Sequence, residues 1–214
     1  VLYSEKIFPK HLVIFTRYPE PGKTKTRMIS ALGAEGAAAL QREMTEYTLS
    51  QGRELRKSGD VSLEIRFVGG NQELMQTWLG DDLLYSPQGE GDLGEKMWRS
   101  LWQSFHHGAT QVIIIGTDCP ELDSSLLHTA FSQQNPEWDL LLGAALDGGY
   151  YLIGLHKPIP ELFINIDWGT SQVLAQTVAI AKQQNLQIHY LPTLRDIDRP
   201  EDLAIWRKQR NFHR

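Results

Sequence analysis

Short apolar runs recur along this chain, separated by stretches with helical spacing of apolar residues, and this alternation limits the available folds more than any other feature. His11-Leu-Val-Ile-Phe-Thr reads as a buried strand, and residues 34–57 read as a helix with Ala37, Leu40, Met44 and Tyr47 near one face. Ser62 to Val68 alternates as a strand does, and Asn71 to Leu79 reads as a short helix started by Asn71. Residues 94–107 carry Met97, Trp98, Leu101, Trp102 and Phe105 at helical spacing, which predicts core packing for all five. The strongest strand, Val112-Ile-Ile-Ile, leads through Gly-Thr-Asp-Cys-Pro into a helix from about Ser124. Strands at Leu140 to Gly143 and Tyr150 to Leu155, a helix over about Ser171 to Gln184, a strand at Gln187 to Leu191 and a helix after Pro200 complete the order.

Strands and helices in turn predict an α/β fold, with a largely parallel sheet covered by helices on both faces. No repeat, low-complexity tract or linker divides the 214 residues, so one domain over 1–214 is expected. In such sheets ligands bind beyond the carboxyl ends of the strands, which singles out residues 17–26 and 116–120. No apolar run is long enough to span a bilayer, the N-terminal stretch lacks signal-peptide features, and the only cysteine is Cys119. These features predict a soluble cytoplasmic protein. With 21 Lys and Arg against 26 Asp and Glu, the formal charge of −5 provides no global field towards nucleic acid or anionic membranes. The expected partners are therefore small molecules.

Against that acidic background the segment RYPEPGKTKTR, residues 17–27, carries Arg17, Lys23, Lys25 and Arg27 with one acid, Glu20. Gly22-Lys23-Thr24 ends like a phosphate-binding P-loop, but Arg17 stands where the first glycine belongs. Pro19 and Pro21 also remove two backbone donors that such a cradle uses. Two readings remain: a solvated basic loop, or a loop that clamps a diphosphate or triphosphate through its side chains.

Nucleotide polyphosphates usually bring Mg²⁺ or Mn²⁺, held by one or two carboxylates with phosphate oxygens and water. Asp118, in the turn after the strongest strand, can ligate such an ion, cap the next helix or fix its own turn. Asp196 and Asp198 flank one apolar residue and point the same way in an extended segment, while Asp198 can also cap the last helix. In DGGYYLIGL, residues 147–155, the glycines fit either a hairpin turn or the close approach of a ligand to backbone. Cys119, with no histidine beside it, reads as a small buried residue and not a nucleophile.

Six ordered blocks over residues 15–203 carry a resemblance: FTRYPEPGKTKTRM, QGEGDLGEKM, GTDCPEL, DGGYYLIGL, DWGTSQVL and RDIDRPEDL. Together they resemble the bacterial glycosyltransferase-like proteins of GT-A fold that are related to 2-phospho-lactate guanylyltransferases. The resemblance implies a nucleotide-diphospho-sugar transferase fold with a mixed, mainly parallel sheet. It implies nucleotide binding by the loop holding Arg17 and Gly22, with Lys23, Lys25 and Arg27 as phosphate contacts. It implies Mg²⁺ or Mn²⁺ on Asp118 and Asp198, and an acceptor or sugar side lined by Asp92, Gly94, Gly148, Gly149, Tyr150, Trp168 and Thr170. Asp118 and Asp147 are then the catalytic candidates, Asp147 as a base for an acceptor proton.

Two departures bear on the reaction. The turn is Thr-Asp-Cys-Pro where many GT-A glycosyltransferases carry Asp-X-Asp, which resembles the nucleotidyltransferase branch more closely. Arg199 stands where relatives commonly have a small Thr or Ser. The expected activity is metal-dependent transfer from a nucleotide-activated donor: glycosyl transfer from a nucleotide sugar, or nucleotidyl transfer from a triphosphate with release of pyrophosphate. A protein that binds nucleotide without chemistry is the rival from another class.

Overall fold

The computed structural model describes residues 8–57, 59–132 and 138–212. Among the described residues seven strands join one sheet: β1 Lys10–Arg17, β2 Val61–Val68, β3 Leu84–Pro87, β4 Gln111–Ile115, β5 Leu140–Ala145, β6 Tyr150–Leu155 and β7 Ile188–Leu194, in the order β3-β2-β1-β4-β6-β5-β7. The α-helices among the described residues are α1 Ile29–Lys57, α2 Gln72–Leu79, α3 Leu93–His106, α4 Ser124–Ser132, α5 Val173–Gln183 and α6 Leu203–Phe212. β6 runs antiparallel to both β4 and β5, and every other pairing is parallel.

The pleat divides the strand side chains between two apolar layers. Leu12, Ile14, Ile113 and Ile115 join α1, α2 and α4 on one face; Val13, Val112 and Ile114 join α3 and α5 on the other. A third cluster packs Met28, Ala37, Leu40 and Met44 against Ile197 and Trp206, which ties the start of α1 to the segment before α6. α1 bends at Gly33, whose φ of 72° lies in the left-handed region that glycine adopts without a steric penalty. The regular helix then runs over the stretch that its sequence spacing predicts.

Several expectations change in detail. β3 has no counterpart in the sequence reading, because four residues ending in proline are too short to show a period. Met97 and Leu101 are buried as expected, but Trp102 is 49% exposed and stacks on His106, with ring centroids 5.0 Å apart. It sits on the outer flank of α3, where helical spacing alone does not separate face from flank.

The layer beneath α3 also holds charge. His11, Glu64 and Arg66 are all buried: His11 Nε2 lies 3.1 Å from Glu64 Oε2, and Glu64 Oε1 lies 2.6 Å from Arg66 Nε. Ser62 Oγ is 2.7 Å from His11 Nδ1, and Arg66 Nη1 donates to Gln103 Oε1 of α3 at 2.6 Å. Burial alone would push the Glu64 carboxyl up. The hydrogen bond to His11 and the charge of Arg66 outweigh it and hold the group below the ordinary carboxylate range.

Candidate functional site

Parallel strands bring their carboxyl ends to one edge, so the residues after β1, β4 and β7 meet there although they lie far apart in sequence. β5 and β6 form a hairpin whose turn, residues 146–149, reaches the same edge, and Leu146 N donates to Leu194 O of β7. Ile197 N donates to Asp118 O at 2.8 Å, joining the segment after β7 to the turn after β4.

The loop after β1 does not form a phosphate cradle from its backbone. Glu20 N and Lys23 N donate to carbonyls of the same loop, and Gly22, at φ 78°, faces open space. Thr24, which a P-loop would place on Mg²⁺, is 1% exposed and donates to Gln41 Oε1 at 3.3 Å. The Gln41 amide in turn reaches Thr45 at 3.1 Å and Thr16 and Thr117 at 3.3 Å, a buried polar knot that fastens this loop to the turn after β4. The P-loop alternative is thereby excluded on geometry.

The loop's cations point in different directions. Arg17 is exposed and, among the described residues, forms no ion pair; Lys23, also exposed, pairs with Glu20 at 2.6 Å. Lys25 turns inward, with Nζ 2.7 Å from Asp118 Oδ1 and donating to Ile197 O at 2.5 Å. Arg27 pairs with Asp198. The two acids expected to hold a metal are therefore each held by a cation of this loop.

Neither acid caps a helix. Asp123 accepts from Leu126 N ahead of α4, and Asp202 accepts from Asp198 N and Arg199 N ahead of α6. Asp198 and Asp196 flank Ile197, which is fully buried, so anchoring that one side chain projects both carboxylates away from the core. Asp196, outside the set of expected metal and catalytic residues, proves to belong to the same cluster. Burial first, then the charge of Asp147, push its carboxyl above the ordinary range, with Asp198 and Asp118 adding to the effect. The two-residue spacing in RDID already set it beside Asp198, the one of the pair that the resemblance implies as a metal ligand. Burial first, then the charges of Asp118, Asp196 and Asp147, push the Cys119 thiol far up, so it is a poor nucleophile, as its sequence context suggested.

The hairpin reading of DGG holds: Ala145 N donates to Gly149 O, and Oδ1 of the exposed Asp147 accepts from Gly149 N at 2.8 Å. The close approach at Gly148 is to protein backbone, since a Cβ there would lie 2.3 Å from Ser171 O. Asp92 caps α3 in a reciprocal box with Glu95. Gly94 lies flat against the Trp168 indole, where a Cβ would meet Nε1 at 2.6 Å, and Tyr150 meets Trp168 edge to face at 6.4 Å. Thr170 orders its own loop by donating to Asp167 O at 2.8 Å. Gly94, Gly148, Gly149, Tyr150, Trp168 and Thr170 thus gather in one wall beside Asp147, while the carboxylate of Asp92 serves its helix. Among the described residues, no three His, Cys, Asp or Glu side chains form a group that could by itself hold a metal ion. Among them, too, no helix is long and apolar enough to cross a membrane.

The family described as "Uncharacterized protein conserved in bacteria (DUF2064)" matches residues 49–170. No curated protein matches the chain. Among solved structures, a protein of Desulfovibrio desulfuricans G20, provisionally named a nucleotide-diphospho-sugar transferase, is 32% identical with a TM-score of 0.86; the match covers 94% of this chain and 87% of that one. The inositol-1-phosphate CTP transferase from T. maritima aligns at 14% identity and a TM-score of 0.60, covering 94% of each chain. A Mycobacterium tuberculosis H37Rv protein solved in complex with manganese aligns at 13% identity and a TM-score of 0.53, over 92% of this chain and 97% of that one. The fold is that of the nucleotide-diphospho-sugar transferases; the last two likenesses speak for the fold alone.

Proposed function

The chain belongs to the DUF2064 family, and from that premise we propose that it is a metal-dependent transferase that takes its donor group from a nucleotide-diphospho-sugar. The observation that carries this reading is the meeting of the cationic loop after β1 with Asp118 and the 195–199 segment at the carboxyl edge of the sheet. The name of the 32% identical protein supports it.

The residues fit a hard divalent cation. Their donors are carboxylate oxygens, and the Asp118 side chain is half exposed, open on the side away from Lys25. Asp118 and Asp198 would hold Mg²⁺ or Mn²⁺ together with phosphate oxygens; when bound, the ion supplies charge neutralisation for the diphosphate leaving group. Arg17, Lys23 and Arg27 add positive charge around the same phosphates, arranged before the reaction begins. The exposed carboxylate of Asp147 accepts the proton of the acceptor hydroxyl, and the Trp168 wall positions that acceptor.

One feature favours a second reading, nucleotidyl transfer from a triphosphate: the turn after β4 offers the single acid Asp118 where glycosyltransferases of this fold often offer two. A thermal-shift panel of nucleoside triphosphates and nucleotide sugars, with and without Mn²⁺, on the wild type and on Asp118→Asn, tests both. Metal-dependent stabilisation by a nucleotide sugar, lost in the variant, is the expected result. The same pattern with a triphosphate selects the second reading, and no metal-dependent shift with any compound sinks both.

A further inference from the structure

Lysine is almost never buried without a partner, and the Lys25 side chain is only 5% exposed. Its backbone adopts φ 46°, a left-handed conformation unusual for a side-chain-bearing residue. The ammonium group spends two of its three donors on distant segments, the Asp118 carboxylate and the Ile197 carbonyl. Asp118 is 49% exposed, so its carboxylate is gripped on the protein side and open on the other. Arg27, by contrast, is 64% exposed and reaches Asp198 through solvent-accessible space.

A dication arriving alone at Asp118 would face a buried ammonium at short range, with nothing to replace the carboxylate that this ammonium loses. A dication arriving on a polyphosphate brings that replacement. A lysine–carboxylate pair and a metal–phosphate pair become a metal–carboxylate pair and a lysine–phosphate pair, with no charge left uncompensated.

We propose that Lys25 is a resident counter-ion that competes with the divalent cation for Asp118, so that free metal binds weakly and Asp118 is released when the cation arrives with phosphate. This rests on the transferase reading and adds to it the coupling between metal and donor. Lys25 is accordingly a positioning residue in the ligand-free protein and becomes a phosphate contact on exchange.

Mn²⁺ alone is the probe. With no nucleotide present, paramagnetic resonance of the free ion measures its affinity for the wild type, Lys25→Met, Lys25→Arg and Lys25→Met combined with Asp118→Asn. Lys25→Met is expected to bind Mn²⁺ about tenfold or more tightly than the wild type, as removal of a nearby like charge requires. Lys25→Arg should stay near the wild type, and adding Asp118→Asn to Lys25→Met should abolish the gain. A folded Lys25→Met that binds Mn²⁺ no more tightly overturns the proposal. Because Lys25 is buried and its loss can disturb the fold, a second measurement uses the wild type only. The ¹⁵N resonance of the protected lysine ammonium is followed with Mg²⁺ alone and with Mg²⁺ plus pyrophosphate. A shift only with the pair is expected; an equal shift with Mg²⁺ alone, or none with the pair, overturns the proposal. If no nucleotide stabilises the protein, the transferase reading falls, yet the Mn²⁺ comparison still decides the role of Lys25.

Discussion

The charges buried along β1 and β2 and those gathered at the carboxyl edge of the sheet both set carboxylates against cations, closed to different degrees. Inside the sheet, Glu64 has both oxygens occupied, by His11 and Arg66, and Arg66 finds Gln103. At the edge, Asp118 and Asp198 each hold one cation, while Asp196 and Asp147 form no ion pair among the described residues. A closed network contributes to one well-defined packing of the core, and breaking it strands a charge away from water. An open network costs some stability and keeps affinity in reserve for a ligand.

The largest test of that contrast is Glu64→Gln, which leaves Arg66 buried without its carboxylate. It should lower unfolding stability by about 3–5 kcal/mol, read from denaturant curves, with nucleotide affinity unchanged in the folded fraction. The same carboxylate sets an acid limb. Because its folded value lies below the unfolded one, its contribution is full above about pH 4.3 and is lost as the pH falls through the lower folded value. The stability gap between wild type and Glu64→Gln should therefore hold above about pH 4.3 and narrow as the pH falls below it; a constant gap would show that Glu64 acts through shape and not charge.

At the edge the sign reverses. Asp196→Asn removes a crowded negative charge and should raise the melting temperature by about 2–4 °C while weakening metal-dependent ligand binding. A fall in melting temperature would mean that the edge is as closed as the interior. The smallest effect is expected for Lys23→Ala, within about 0.5 kcal/mol in stability because its pair with Glu20 is exposed. Its loss should appear instead as a few-fold drop in nucleotide affinity that high salt erases.

The interior and the edge also differed in how far the sequence disclosed them. Apolar runs such as Val112 to Ile115 mark strands because burial on both faces leaves no other composition open to them. The P-loop alternative failed on Arg17, Pro19 and Pro21 before any geometry was known, and the burial of Thr24 agrees. Asp118 was legible as an acid just past a buried strand. Its pairing with Lys25 was not, since it depends on a left-handed turn at a lysine and on parallel strands placing two distant loops side by side. Asp92 shows the converse: a residue expected on the substrate side proves to be spent on starting a helix, a local role that its own sequence, with Glu95 three residues on, could have suggested.

One strand runs against the rest. Because β6 returns between β4 and β5, the turn that carries Asp147 is braced by two strands lying inside the sheet, whereas residues 18–25 and 195–199 each extend from a single strand end. The candidate base is therefore held by strand pairing, whereas the segments that carry Lys25, Asp196 and Asp198 are held from behind, by Ile197 in the core and by the Gln41 knot that joins the first loop to the turn after β4.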